Sequence, residues 1–207
     1  MIFTLHGWSF SSSVWEGTPF SSANHLELPG HGESPFLSTD LPELSAEVAS
    51  LLPNGVTLVG WSLGASVALL TAALYPQKVA RLVLLAPTVK FSGVSQPEVV
   101  VKRFLKRLRR NFSEGVSFFR EFCSEEAPPV GEKLNPERAV RLLESFCGLD
   151  LTRYASKVKA PCFIAVGDED RVTCLEGAYG LFRVLPKATL RVLPGADHYT
   201  LLRRLSF

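Results

Sequence analysis

The 207 residues predict an α/β fold: a mostly parallel sheet of about six strands, flanked by helices and interrupted by a small helical insertion. Three observations predict it. Short apolar runs alternate with longer amphipathic stretches, the rhythm of repeated strand–helix–strand units with right-handed crossovers. Several of those runs are continuously apolar, as strands covered on both faces are. Between about residues 91 and 153 the rhythm breaks, and only helical periods remain.

In chain order, strands are expected at Ile2–Leu5, His25–Leu28, Thr57–Gly60, Arg81–Leu85, Cys162–Val166 and Thr189–Leu193. Helices are expected at Leu41–Leu51, Leu63–Tyr75 and Leu175–Leu185. In the insertion, Glu98–Asn111 is rich in Lys and Arg, Gly115–Cys123 carries Val116, Phe118, Phe119 and Phe122, and Glu125–Pro136 reads as loop. Pro136–Gly148 is helical again, with Pro136 suited to a first turn. Residues 1–90 and 154–207 are thus expected to form the core, and 91–153 a cap. No internal repeat or low-complexity segment is present.

Composition narrows the class. Hydrophobic residues are 46% and charged residues 20%, a globular balance that argues against a disordered or fibrous chain. A net charge of +2 does not suggest nucleic acid as partner. No apolar run approaches the ~18 residues of a membrane span, and Met1–His6 reads as a strand, with no basic segment or cleavage site of a signal peptide. The cysteines Cys123, Cys147, Cys162 and Cys174 are scattered, unlike a disulfide framework or zinc site. A reduced, cytoplasmic monomer is the expectation.

The strongest chemical signal is Gly60-Trp61-Ser62-Leu63-Gly64, placed after an apolar strand and before a helix. A G-x-S-x-G turn in that context presents its serine on a strained backbone, with glycines making room. The next N–H, that of Leu63, then faces the place where an oxyanion forms, at a helix N-terminus that favours negative charge. A serine hydroxyl needs a base. His198, in Gly195-Ala196-Asp197-His198, follows the last strand and fits the order Ser, acid, His. His6 and His31 precede the serine, and His25 sits beside a strand in a structural place. The acid belongs after Cys162–Val166, where Asp168, Glu169 and Asp170 crowd one turn. Gly167, Asp170 and Val172 match the usual spacing and favour Asp170. Asp168 is the competitor, with a turn role as its other reading. A second oxyanion donor is expected from the Trp8 N–H in His6-Gly7-Trp8, with His6 holding the loop. The run Leu28–Ser34 reads as a structural turn.

H-G-W, L-P-G-H-G-E-S, G-W-S-L-G, G-D-E-D-R-V and G-A-D-H, in this order, resemble the α/β-hydrolase superfamily over nearly the whole chain. Within it, the tryptophans of Leu5-His6-Gly7-Trp8 and Gly60-Trp61-Ser62-Leu63-Gly64 resemble the pimeloyl-acyl-carrier-protein methyl ester esterases of biotin synthesis. The resemblance implies a Ser62–His198–Asp170 triad, oxyanion donors at Trp8 and Leu63, and no metal or organic cofactor. It implies Trp8 and Phe119 at the substrate, although Phe119 also fits ordinary helix core. It implies, too, a basic face for an acidic carrier. Lys102, Arg103, Lys106, Arg107, Arg109 and Arg110 cluster in the insertion, joined by Arg138 and Arg141. Arg103, Arg107, Arg110, Arg138 and Arg141 are the docking candidates, and a solvated charged face is the alternative. Relative to the family, one or two leading strands and a full terminal helix are expected to be absent, and the cap is short after Cys123. Those shortenings bear on the substrate rather than on the triad. The rival readings are a general small-ester carboxylesterase, a synthase of the menaquinone type running an elimination, and a non-catalytic binding protein of the same fold.

Overall fold

A computed structural model describes residues 1–131 and 133–205. Six strands, β1 (Ile2–Leu5), β2 (Asn24–Leu26), β3 (Val56–Trp61), β4 (Val79–Leu85), β5 (Cys162–Gly167) and β6 (Ala188–Leu193), form one sheet in the order β2-β1-β3-β4-β5-β6. Every pairing is parallel. The burial follows from position. Five of the six residues of central β3 are buried, whereas edge strand β6 alternates between half-buried and exposed residues until Leu193. Seven helices accompany the sheet: α1 (Leu41–Leu51), α2 (Leu63–Leu74), α3 (Glu98–Arg110), α4 (Phe112–Cys123), α5 (Pro136–Gly148), α6 (Thr152–Ala155) and α7 (Cys174–Val184). Helix α2 packs on β3 and β4 and against α1 and α6. Leu63 through Ala73 are all buried, as expected of a helix that is apolar all round.

Sequence signals set most boundaries. Asp40 caps α1 by accepting from the Glu43 N–H, with Pro42 in the first turn. Asn135 caps α5 in the same way, ahead of Pro136. Asn111 ends α3 and, through its side chain, starts α4 by accepting from the Glu114 N–H. This is why α4 begins at Phe112 rather than at Gly115, the expected start. Helix α2 stops one residue short of Tyr75, which precedes Pro76 and leaves helical geometry at φ −127°. Strand β2 is shorter than the expected His25–Leu28, because the Leu28 N–H is taken by His6 Nε2 (3.0 Å) instead of the ladder. Helix α6 and the 3₁₀ turns at Ser12–Trp15 and Thr200–Arg203 are additions to the sequence expectation. Helices α3, α4 and α5 all lie between β4 and β5.

The strand ends that carry chemistry meet through backbone. A Cβ on Gly167, at the end of β5, would stand 1.9 Å from the Ala196 carbonyl oxygen. The turn after β5 and the turn after β6 are therefore in direct contact. Gly167→Ala should lower the urea unfolding midpoint by the equivalent of about 3 kcal/mol, the upper end of overpacking penalties. Gly148→Ala is the control: no atom lies within 4 Å of its Cβ position. That change should be neutral or stabilising by up to ~1 kcal/mol. Equal midpoints for the two variants would refute the steric reading.

Candidate active site

Ser62 sits between β3 and α2 with φ 56° and ψ −120°, left-handed backbone that costs a non-glycine residue about 1–3 kcal/mol. Packing holds it there. A Cβ on Gly64 would lie 2.4 Å from the carbonyl oxygens of both Leu5 and His6, and one on Gly60 would lie 2.3 Å from the Gly64 oxygen. The Ser62 N–H donates to the Leu85 carbonyl (2.9 Å).

His198 Nε2 lies 2.9 Å from Ser62 Oγ, and His198 Nδ1 lies 2.8 Å from Asp170 Oδ2. All three groups are shielded: Ser62 is 5% exposed, Asp170 6% and His198 1%. Asp170 Oδ1 also accepts the N–H groups of Val172 (2.8 Å) and Thr173 (3.0 Å), and Oδ2 accepts the Thr173 hydroxyl (2.9 Å). Burial alone would raise its pKa, but His198 and these donors outweigh it and hold the carboxyl below its ordinary value. Asp168 accepts the Gly195 N–H (2.7 Å). It braces the turn, and of the two aspartates Asp170 is the one hydrogen-bonded to His198 among the described residues.

Two functional contacts were not legible from the sequence. The Trp61 indole donates to the His198 carbonyl (3.0 Å), so the tryptophan of the serine turn also positions the histidine loop. The Thr173 hydroxyl serves the Asp170 carboxylate, yet nothing in its local pattern separates it from any helix-start threonine.

The loop after β1 runs alongside the serine. A Cβ on Gly7 would lie 3.3 Å from Ser62 Cβ, which sets the Gly7–Trp8 peptide beside the Ser62 side chain. Among the described residues, neither the Trp8 N–H nor the Leu63 N–H has a hydrogen-bond acceptor. The latter belongs to the first turn of α2, where the helix itself offers no acceptor. His6 Nδ1 donates to the Gly7 carbonyl (2.8 Å), the loop-holding role expected of it. His25 pairs with the Thr4 hydroxyl (2.7 Å), away from the triad.

The Trp8 indole donates to the Ala139 carbonyl on α5 (2.8 Å) and meets the Phe104, Phe112 and Phe119 rings edge to face. Phe119 in turn lines an apolar pocket of about 100 Å³ with Phe91, Val101, Phe104, Phe122 and Val172. Trp8 backs that pocket and does not line it. Wider surface clefts of about 610 and 650 Å³ touch neither Ser62 nor His198.

Of the basic candidates, Arg103, Arg107 and Arg110 are exposed on α3. Arg107 lies over the Phe118 ring (4.4 Å) and 3.6 Å from Glu114. Arg141 pairs with Glu137 (2.7 Å). Arg138 is half-buried, and its guanidinium donates to the Phe36 and Leu37 carbonyls (2.7 and 2.8 Å). It is tied to the chain, so the exposed charge is concentrated on α3. The four cysteines are free thiols, and burial pushes the Cys162 thiol up to about 12. Among the described residues no helix is long and apolar enough to cross a membrane.

A model of the alpha/beta hydrolase family matches residues 2–205. The pimeloyl-[acyl-carrier protein] methyl ester esterase of Nitrosomonas europaea is 26% identical over 223 residues, which cover 94% of this chain and 86% of that protein. The protein of the same name from Photobacterium profundum is 27% identical over 221 residues, covering 94% and 85%. A hydrolase from Oleispira antarctica shares the fold with a TM-score of 0.86 at 12% identity, over 98% of this chain and 85% of that one.

His31 adds a pH dependence to this architecture. It is fully buried. Its Nδ1 donates to the Pro29 carbonyl (3.0 Å) and its Nε2 accepts the Ser9 N–H (2.9 Å), a pattern that only the neutral ring satisfies. Burial, aided by the adjacent His6, lowers its pKa from 6.5 to about 3. The unfolded chain therefore binds a proton that the folded chain refuses. The stability this contributes is complete above pH 6.5 and is lost as pH falls toward 3, at about 1.4 kcal/mol per pH unit. Unfolding free energy measured between pH 6.5 and 4.5 should fall less steeply, by one proton, in His31→Gln than in the parent. Parallel slopes would show that His31 is not the group responsible.

Proposed function

The chain belongs to the alpha/beta hydrolase family, and we propose that it is a serine carboxylesterase whose substrate is the methyl ester of a pimeloyl group carried on acyl carrier protein. The observation that carries the hydrolytic reading is the unbroken series Ser62 Oγ, His198, Asp170, at 2.9 and 2.8 Å, inside a shielded site. His198 Nε2 takes the Ser62 proton as Oγ attacks the ester carbonyl. Asp170 fixes the imidazole by accepting from Nδ1–H and stabilises the imidazolium, without taking the proton itself. The N–H groups of Trp8 and Leu63 hold the oxyanion. Protonated His198 hands its proton to the departing alcohol, and water deacylates the enzyme through the same base.

The substrate reading rests on three supports. Relatives covered over most of their length are esterases of pimeloyl-carrier methyl esters by name. The apolar pocket beside Val172, lined by none of Ser62, Asp170 and His198, is of a chemistry that suits part of a methylene chain. The exposed cations of α3 would steer an acidic carrier toward the site. In this reading the helices of residues 91–153 act as the cap, with Phe119 contacting the acyl chain and Arg103, Arg107 and Arg110 facing the carrier.

Ser62→Ala should abolish ester hydrolysis and fluorophosphonate labelling while leaving the unfolding transition in place. Hydrolysis surviving at a near-normal rate would end the serine assignment. For the substrate, the parent enzyme is incubated with pimeloyl-carrier methyl ester and, separately, with a free short-chain methyl ester, and products are followed by mass spectrometry. The carrier-bound ester should be consumed with the higher kcat/KM. Absence of that preference would remove the carrier while leaving the esterase.

A further inference from the structure

Arg120 on α4 is an arginine only 2% exposed, and its charge lies buried at the floor of a surface cleft rather than on the basic face of α3. Its Nη1 donates to the Pro128 (3.0 Å) and Pro129 (2.8 Å) carbonyls. Its Nη2 donates to the carbonyl of Ser9, and the guanidinium lies over the Phe10 ring, 4.3 Å from the centroid. A planar, multidentate cation holding carbonyls in three directions is a fixture that lysine cannot reproduce.

What it holds is the loop that carries Trp8. Ser9 is left-handed at φ 69°, a conformation a serine keeps only when its surroundings impose it. Around it the polar backbone atoms are engaged one by one. The Gly7 carbonyl accepts from His6 Nδ1 (2.8 Å) and from the Phe10 N–H (3.3 Å). The Ser9 N–H goes to His31 Nε2 (2.9 Å), and the Ser9 carbonyl goes to Arg120. In a trans peptide the N–H points away from the carbonyl. Fixing the Gly7 carbonyl and both sides of Ser9 therefore fixes the direction of the Trp8 N–H between them.

We propose that Arg120 is a positioning residue for ester hydrolysis: from the inserted helices it pins the Ser9 carbonyl and so aims the Trp8 N–H at the oxyanion. The inference rests on the reading of Trp8 as an oxyanion donor. It makes the inserted helices a structural part of the reaction centre as well as a cover. Phe119, the neighbour of Arg120, lines the apolar pocket, so pocket and oxyanion loop are coupled through one turn of α4.

The test uses the full chain and a pair of substrates, a short-chain p-nitrophenyl ester and its thiono counterpart with C=S in place of C=O. Sulfur accepts hydrogen bonds weakly, so a correctly aimed donor favours the ester and a misaimed one loses that preference. Arg120→Met should lower kcat on the ester about tenfold, less than the 10²–10³ of deleting a donor outright, with KM within about threefold. The thionoester rate should change little, so the ester-to-thionoester ratio falls about tenfold with it. Added methylguanidinium should restore part of both. A ratio equal to that of the parent, or a loss confined to KM, would overturn the assignment. Should Arg120→Met fail to fold, Arg120→Lys retains the buried charge and is judged by the same ratio. A parent enzyme that did not distinguish the two substrates would instead remove the oxyanion reading itself, which separates the two failures.

Discussion

A methyl group on Gly64 would stand 2.4 Å from the carbonyl oxygens of Leu5 and His6, and most of the site depends on that close approach. It lets the first turn of α2 lie against the end of β1 with no side chain between them. The Leu63 N–H and the loop leaving His6 become neighbours for that reason alone. The same approach leaves Ser62 no choice of backbone: a helix that starts this close to β1, straight from the end of β3, forces one residue into left-handed geometry. The serine hydroxyl is thus presented by packing, and its strain is sustained by the buried α2, whose residues from Leu63 to Ala73 lie in the core.

A second backbone contact does the corresponding job for Asp170 and His198. Gly167 abuts the Ala196 carbonyl, so the turns bearing Asp170 and His198 are packed directly against each other. Asp168 reinforces it through the Gly195 N–H, and Trp61 ties it back to the serine turn through the His198 carbonyl. Among the described residues, three of the four non-glycine residues with positive φ are Ser62, Ser9 and Cys174. They sit at the turn into α2, in the Trp8 loop, and next to the Thr173 that serves Asp170. Local strain gathers where the geometry must be held, and each strained residue has a buried hydrogen-bond partner or packing contact close by that resists relaxation.

The fold was legible because its signals are local. Continuous apolar runs marked every strand to within a few residues, and Pro136 marked a helix start. The grouping of Ser62, Asp170 and His198 was legible because each sits at the end of a recognisable strand, so chain order stands in for three-dimensional proximity. What escaped the sequence is non-local. His31 looked like part of a glycine-rich turn, and only the fold brings its ring to the Ser9 N–H, 22 positions away. Arg120 carries no local signal that sets it apart, and it lies 111 positions from the carbonyl it serves. Arg138 reads from the sequence as a docking candidate, and only the fold brings its guanidinium to the Phe36 and Leu37 carbonyls. In each case the pattern reported a residue type correctly, and its partner was set by the tertiary path.

Burial explains why these long-range partners are the ones that matter. A hydrogen bond at the surface exchanges with water and contributes little, whereas a donor or acceptor stranded inside costs its full desolvation. The neutral ring of His31 and the cation of Arg120 are both enclosed, so each would carry an uncompensated desolvation cost without its partners. Among those partners are the N–H and the C=O of one residue, Ser9. The loop beside Ser62 is therefore held by forces that belong to folding stability, and they persist whether or not a substrate is present. That is the condition for an oxyanion site to act by preorganisation, with its dipoles set before charge develops and no reorganisation left for the reaction to perform.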